Sequence, residues 1–132
     1  VIGNEWFADG ALGGKKMLIV DDTDDNIVLI CAYLQRSGLK IDNVADGIAA
    51  LENIKSISYD LILMDIQMPL LDGIETCFLM RMRGLTQPIV ACTAIGLSPS
   101  EIAGANFNAF LPKPIFRDAL FECLSDYLIV QS

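Results

Sequence analysis

Apolar positions along the chain follow two periods, and segments of the two kinds alternate. Short unbroken apolar runs, such as MLIV at 17–20 and LILM at 61–64, have the length of buried strands. The stretches between such runs place apolar residues three and four positions apart, which is typical of amphipathic helices. The pattern predicts strands at 17–20, 41–45, 60–65, 88–94 and 108–112, and helices at 24–38, 48–57 and 73–84, from 98 for a short fourth helix, and at 116–128.

Five strands that alternate with five helices indicate an α/β domain, with a parallel sheet covered by helices on both faces. The same periodicity predicts which side chains of each helix face the sheet. The predicted inward residues are Ile74, Cys77, Phe78 and Met82 on the third helix, and Phe116, Ala119, Leu120, Cys123, Leu124 and Tyr127 on the last.

Composition narrows the class of protein. The length of 132 residues suits one domain, and we assign the glycine-rich, aperiodic stretch 1–14 to a linker or leader and 15–132 to that domain. No apolar run approaches the roughly 20 residues of a membrane helix, so we expect no membrane contact. The net charge of −8 argues against nucleic acid as a direct partner. Four cysteines in apolar stretches, without CxxC spacing, indicate reduced thiols and a cytoplasmic location.

Polar residues stand at the ends of four predicted strands. Asp21 and Asp22 follow the first strand, Asp65 ends the third, Thr93 lies at the end of the fourth, and Lys113 follows the fifth. The carboxyl ends of parallel strands share one edge of a sheet, so we expect these side chains to meet. Each has a simpler reading as a helix cap, a strand former or a surface cation. Their presence together at four strand ends favours a shared site.

The chemistry of such a cluster points to a metal and to phosphorus. Three carboxylates close together repel one another, and a divalent cation relieves the repulsion. An all-oxygen site that leaves room for water and phosphate suits Mg²⁺. Beside the cation Asp65 would stay an anion able to attack phosphorus, while Lys113 and Thr93 would bind phosphoryl oxygens.

At these residues the chain resembles the receiver domain of the two-component response-regulator family, over about residues 16–130. The matching motifs are LIVDD, VADGIAAL, LILMDIQMPLLDG, VACTA and FLPKPI. The resemblance implies a flavodoxin-like, doubly wound (βα)5 fold with strand order 2-1-3-4-5. The motifs MDIQMP and LPKPI are most similar to those of receivers attached to hybrid histidine kinases.

The resemblance also implies a role for each site residue. Those roles are Asp65 as phosphoacceptor; Asp21, Asp22, Asp65 and the backbone carbonyl of Gln67 as Mg²⁺ ligands; Lys113 as the cation that pairs with phosphate; Thr93 and Phe110 as the switch; and Lys113–Pro114 as a cis peptide bond.

The sequence departs from the family pattern near the predicted fourth helix. Thr93 and Lys113 are 20 residues apart, which is two or three fewer than the resemblance implies. No lysine or arginine occurs between Gly84 and Pro112, although relatives that dimerise through this region use charge pairs. We therefore expect a monomer rather than a dimer. Phe110 lacks a hydroxyl, so packing alone must hold its inward state.

The leading functional hypothesis is a phosphoacceptor module of a two-component phosphorelay. The chain has no histidine, so the phosphohistidine donor must belong to a histidine kinase or a histidine phosphotransfer protein. Such a domain would catalyse only its own phosphorylation and dephosphorylation, and it would form part of a hybrid sensor histidine kinase that is itself an enzyme. The alternatives are a free-standing single-domain response regulator, a docking module without phosphorylation, and a Mg²⁺-dependent phosphatase with an aspartyl nucleophile. A calcium-binding EF-hand loop at Asp22 is excluded, because Ile27 and Tyr33 occupy positions that require glycine and glutamate.

Overall fold

The structure is a computed structural model and describes residues 9–68, 70–94 and 106–129. These residues form five strands and four helices, β1 (Lys16–Val20), α1 (Asp24–Leu34), β2 (Lys40–Val44), α2 (Gly47–Ser56), β3 (Leu61–Asp65), α3 (Gly73–Met82), β4 (Ile89–Thr93), β5 (Ala109–Pro112) and α4 (Arg117–Leu128). The short helix predicted from residue 98 lies outside the described residues.

All five strands are parallel and lie in the order β2-β1-β3-β4-β5, which confirms the predicted flavodoxin-like fold. The register brings their carboxyl ends level, because Asp65 pairs with Cys92 and Thr93 pairs with Pro112. Parallel strands joined by crossover helices end at the same edge of the sheet. The residues that follow β1 and β5 therefore lie at one edge with the ends of β3 and β4.

Helices cover both faces of the sheet, and the central strand β3 shows the alternation most clearly. Leu61 and Leu63 pack into the apolar cluster shared with α1 and α4. Ile62 and Met64 pack into the opposite cluster, shared with α2 and α3. Successive side chains of a strand point to opposite faces, so a strand covered on both sides must be apolar throughout. The unbroken run LILM meets that requirement.

The inward face of α3 differs from the prediction. Its buried residues are Gly73, Thr76, Cys77 and Met80. Cys77 is buried and Ile74 packs against the apolar core, as predicted, but Phe78 is 52% exposed and Met82 is 69% exposed. The apolar residues of this helix are distributed over all of its sides, so its sequence pattern fits more than one inward face. The face chosen is the one that allows the closest approach to the sheet, since a Cβ on Gly73 would overlap the Asp65 carbonyl oxygen.

The helices at the two ends of the domain also differ in detail from the prediction. α4 buries Leu120, Cys123 and Leu124 as predicted, whereas Phe116 is the N-cap residue and is 66% exposed. Ala119 is exposed as well, because it lies on the solvent side of the same helix. α1 ends at Leu34, before the predicted end at Gly38.

The residues just before β1 pack against the amino-terminal end of the sheet. Leu12 is 1% exposed and belongs to the apolar cluster under α1. The N–H of Leu12 donates to the Ser37 carbonyl at 2.7 Å, and the N–H of Gly10 donates to the Arg36 carbonyl at 2.9 Å. Gly38 permits this contact, since its φ is +84° and a Cβ there would lie 3.0 Å from the Cα of Gly10. The boundary at residue 15 stays a prediction, and these contacts supply a way to test it.

No disulfide joins the four cysteines, all of which lie in the described ranges. Three of them are buried, and burial raises the pKa of Cys77 and Cys123 to about 11. Thiols with such a pKa stay protonated and weakly reactive at neutral pH.

Candidate functional site

Three carboxylates meet at the carboxyl-terminal edge of the sheet. Asp21 and Asp65 are 3% and 4% exposed, and Asp22 is exposed beside them. One oxygen from each of the three lies within 4.8 Å of the others. At that separation, two unit charges repel by about 3 kcal/mol for an effective dielectric constant near 20. The sequence predicted this convergence, and the structure brings the three residues together.

Local hydrogen bonds orient Asp21. Its Oδ1 accepts a bond of 2.8 Å from the N–H of Thr23, and its Oδ2 accepts one of 3.2 Å from the Asn26 side-chain amide. Asn26 was not predicted to contact this cluster. It lies in the first turn of α1, two residues after Asp24, and only the fold shows that its side chain turns back toward the cluster.

Lys113 is the one cation that contacts the cluster among the described residues. Its Nζ lies 2.8 Å from Asp65 Oδ1 and 3.6 Å from Asp21 Oδ2. Three carboxylates against one ammonium leave the site with a formal excess of two negative charges. The site is therefore short of positive charge, even though Lys113 is in place.

The pKa shifts at the site follow from burial and from these charges. Burial raises the pKa of Asp65 and nearby Asp21 raises it further, while the ion pair with Lys113 lowers it without cancelling the effect of burial. Burial alone would lower the pKa of Lys113, but Asp65 and Asp21 outweigh it, and the net shift is upward. Lys113 is thus held protonated, whereas Asp65 lacks enough positive charge to stabilise its ionised form fully.

Asp65 is not the cap of the helix that follows it. Asp72 caps α3, where its side chain accepts a bond of 2.8 Å from the N–H of Glu75 and forms a capping box with that residue. Gly73 follows at the first position of α3, and its N–H donates to the Ile66 carbonyl at 3.0 Å. Because Asp72 takes the structural role, the side chain of Asp65 is left for the cluster.

The remaining predicted site residues lie around this centre. Thr93 is 8% exposed at the end of β4, and its carbonyl accepts a bond of 2.7 Å from the N–H of Lys113. The N–H of Gln67 donates to Asp65 Oδ1 at 3.2 Å. The Lys113–Pro114 peptide bond is cis. Phe110 lies in β5, three residues before Lys113, and is 36% exposed. Its ring is in edge contact with Phe107, a residue without a predicted role.

The donor set suits a hard divalent cation. Asp21, Asp22 and Asp65 offer only oxygen atoms, and one of the three stays open to solvent. Mg²⁺ is usually bound through one or two carboxylates and keeps several water ligands, which a site with one solvent-exposed carboxylate allows. The residues present therefore fit the metal that the sequence predicts.

Comparisons with known proteins agree with this geometry. The sequence model of the response regulator receiver domain matches residues 17–125. A curated relative, the autoinducer 2 sensor kinase/phosphatase LuxQ of Vibrio parahaemolyticus, is 40% identical over 115 residues. That match covers 85% of this chain and 13% of LuxQ, so the chain spans about an eighth of the relative's length.

Two solved structures are similar in fold and sequence. The receiver domain of the sensor histidine kinase PA1611 from Pseudomonas aeruginosa, solved with a magnesium ion in its active site cleft, has a TM-score of 0.80 and 35% identity. It covers 88% of this chain and 98% of that domain. Full-length ShkA, solved with AMPPNP, has a TM-score of 0.80 and 33% identity, covering 90% of this chain and 26% of ShkA.

Among the described helices, none combines the length and the apolar character that crossing a membrane would require. The family match covers most of the chain, and the strand order and the acidic edge agree with it. This chain belongs to the response regulator receiver domain family of two-component signalling.

Proposed function

We propose that this domain accepts a phosphoryl group from a partner's phosphohistidine onto Asp65, in a Mg²⁺-dependent reaction. The observation that carries the proposal is the meeting of Asp65 with Asp21, Asp22 and Lys113 at one edge of the sheet. A carboxylate with a nearby ammonium and two further acidic ligands has what phosphoryl transfer requires, namely positioning and charge neutralisation.

In the transfer step, a carboxylate oxygen of Asp65 forms a bond to phosphorus. The bond between phosphorus and the donor imidazole nitrogen breaks, and its electron pair stays on that nitrogen, which then takes up a proton. Asp21, Asp22 and Asp65, with the backbone carbonyl of Gln67, would hold Mg²⁺, and the bound cation would neutralise charge on the carboxylates and on the phosphoryl oxygens. Lys113 would pair with a phosphoryl oxygen through the ammonium that now contacts Asp65.

Phosphorylation would change the conformation through Thr93 and Phe110. An acyl phosphate adds nearly two negative charges at the edge where Thr93 ends β4. The Thr93 hydroxyl would bind a phosphoryl oxygen, and Phe110 would move from its half-exposed position toward the space that this leaves. Phe110 and Ala91 are partners in the β4–β5 register, so the ring lies on the same sheet face as the Ala91 and Thr93 side chains.

The wider context of the domain is part of the proposal. Similarity to receivers of LuxQ and PA1611 supports a place within a hybrid sensor histidine kinase. The partner would then be a histidine kinase domain or a histidine phosphotransfer protein, and the domain would act as a cytoplasmic monomer. A free-standing single-domain response regulator is the alternative, and both uses require the same chemistry at Asp65.

The direct test is labelling by a small phosphodonor. We expect acetyl phosphate with Mg²⁺ to add one phosphoryl group to the purified chain, seen by intact mass spectrometry, and we expect Asp65→Asn to abolish it. Asp118→Asn is the matched control, because Asp118 is an exposed carboxylate on α4. Labelling that survives in Asp65→Asn, or wild-type protein that is never labelled, would contradict the proposal.

A further inference from the structure

Phe107 packs against the apolar cluster of Ile66 and Ala91 and also contacts the predicted switch residue Phe110. Its ring centroid lies 6.1 Å from that of Phe110, and the two planes are inclined at 65°. This edge-to-face arrangement is one of the favoured geometries for aromatic pairs. Phe107 therefore supplies a specific contact to the ring of Phe110, in addition to general apolar packing.

Phe107 also packs close to the end of β3, where Asp65 lies. It packs against the small apolar cluster that contains Ile66 and Ala91, which are 4% and 0% exposed. Ile66 follows Asp65 directly, and its N–H donates to the Cys92 carbonyl at 3.2 Å. One side chain thus packs against the cluster that contains the residue after the phosphoacceptor and also contacts the aromatic residue on β5.

The backbone around Phe107 is held in place on both sides. Asn106 adopts a left-handed conformation with φ of 65°, and its carbonyl accepts bonds of 3.3 and 3.1 Å from the Arg81 guanidinium. Asn108 exchanges backbone and side-chain hydrogen bonds of 2.9 Å with Ile89 at the start of β4. The Asn108 side chain also accepts a bond of 2.8 Å from Arg81. The backbone on both sides of Phe107 is therefore fixed by hydrogen bonds, and Phe110 is the more exposed residue of the pair.

We propose that Phe107 is a positioning residue that holds Phe110 in its half-exposed orientation and links that orientation to the end of β3. Any inward movement of Phe110 must break the edge contact, so Phe107 sets how often Phe110 leaves its resting position. A displacement of Ile66 on phosphorylation would disturb Phe107 first and Phe110 through it. This second statement rests on the proposed function, whereas the first concerns the unmodified domain alone.

The first experiment uses no phosphodonor. The protein is labelled with para-fluorophenylalanine, and the fluorine signal of Phe110 is assigned with Phe110→Leu. In Phe107→Leu we expect a two- to tenfold rise in the population of molecules in which Phe110 has left its resting position. A change of about this size corresponds to the interaction free energy of one aromatic pair. Phe107→Tyr keeps the ring and should restore the wild-type signal. Phe78→Leu, which removes an exposed ring on α3, should leave the signal unchanged.

The outcomes separate positioning from a general packing defect. A Phe110 signal in Phe107→Leu identical to that of wild type would overturn the proposal. So would a change that Phe107→Tyr reproduces in full, because the ring would then have no specific role. Should Phe107→Leu fail to fold, Phe107→Met, which keeps most of the volume without a ring edge, carries the same expectation.

The second experiment adds beryllofluoride and Mg²⁺. If phosphorylation releases Phe110 from Phe107, beryllofluoride should shift the Phe110 signal strongly in wild type and Phe107→Tyr, and at most half as far in Phe107→Leu. An equal shift in all three would overturn the link to β3. A wild-type chain that never responds would contradict the proposed function, and the result without phosphodonor would still decide whether Phe107 positions Phe110.

Discussion

The two ends of the sheet differ in what they bury: polar and charged side chains at the carboxyl-terminal edge, and an apolar side chain at the amino-terminal end. At the carboxyl-terminal edge, Asp21, Asp65 and Thr93 are buried polar residues, and one ammonium faces three carboxylates. At the amino-terminal end, Leu12 enters the core and backbone hydrogen bonds join the segment before β1 to the turn after α1. The first end holds charge at a cost in folding free energy, and the second end supplies apolar burial that offsets such a cost.

This difference shows how a small domain can carry an unfavourable site. Like charges buried a few ångströms apart weaken the fold, so stability must come from regions where no function constrains the residues. The ion pair at the amino-terminal end, between Arg36 and Asp9, joins side chains that are 75% and 72% exposed. Exposed ion pairs contribute little to folding free energy, so this end is stabilised mainly by burial of Leu12 and by the backbone hydrogen bonds.

The largest expected effect is at the functional end, from Gly73→Ala. The added Cβ would overlap the Asp65 carbonyl oxygen and lie 2.9 Å from the Cα of Ile66, and these backbone atoms of a buried strand cannot easily move. We expect a loss of about 3 kcal/mol in the free energy of unfolding, measured by urea denaturation, and slower phosphorylation of Asp65.

Gly13→Ala provides the comparison at the other end. A Cβ on Gly13 would lie 3.2 Å from the Gly10 carbonyl oxygen, which needs a shift of only a few tenths of an ångström. The expected loss is within about 1 kcal/mol. Equal losses of unfolding free energy in the two glycine variants would show that the close contact between α3 and the backbone at Asp65 does not contribute specially to stability.

Next in size is Leu12→Ala at the amino-terminal end. Truncation of a buried leucine removes apolar contacts and leaves a cavity, so we expect a loss of about 2–3 kcal/mol in the free energy of unfolding. Phosphorylation of the folded fraction should be unchanged, because the segment lies at the opposite end from Asp65.

The matched control is Leu70→Ala, because Leu70 is 79% exposed and its truncation should cost no more than about 0.5 kcal/mol. If both leucine variants are equally stable, residues 9–14 behave as a linker and the contrast between the two ends is wrong.

The third effect is stabilisation by Mg²⁺. A cation that binds the folded cluster and not the unfolded chain raises the free energy of unfolding, by about 1.4 kcal/mol at ten times its dissociation constant. Asp22→Asn should lose most of this gain, because it removes one of the three carboxylates that would bind the cation. Asp22 is exposed, so the substitution should disturb the fold little. Asp118→Asn should keep the gain. If added Mg²⁺ does not change the thermal unfolding midpoint of the wild-type chain, the result would argue against a metal site.

The smallest effect is a pH dependence from Asp65. Its pKa is raised by burial and by Asp21 beyond what Lys113 offsets, so the ionised carboxylate destabilises the folded state at neutral pH. Without Mg²⁺, Asp65→Asn should therefore be more stable than wild type at neutral pH. The difference should shrink as pH falls through the raised pKa toward the ordinary carboxyl pKa, where wild-type Asp65 is protonated.

Unfolding by urea in a metal-free buffer series measures this dependence. The sign is informative, because a carboxylate stabilised mainly by Lys113 would give the opposite trend. In that case Asp65→Asn would be less stable than wild type at neutral pH. The charge deficit assigned to the site would then be wrong.

Some features of the domain could be read from the chain and others could not. The run LILM predicted a strand covered on both faces, and β3 is such a strand. The inward face of α3 was predicted only in part, because apolar residues occur on all sides of that helix and periodicity does not single out one side. Ile74 and Cys77 pack on the core as predicted, whereas Phe78 and Met82 are exposed. Contact between Gly73 and the backbone at Asp65 selected the face. The contact of Asn26 with Asp21 and that of Phe107 with Phe110 were not predicted, because no local pattern states where an amide or a ring will point.

The sequence by itself determined the order of strands and helices, and with it the edge where Asp21, Asp65, Thr93 and Lys113 would be found. Parallel strands with crossover helices leave no other place for residues at their carboxyl ends. Only the tertiary structure decided that Lys113 contacts Asp65 at 2.8 Å, that the pKa of Asp65 is raised, and that Phe107 contacts the ring of Phe110. Those properties depend on distance and burial between residues far apart in the chain, which local periodicity does not encode.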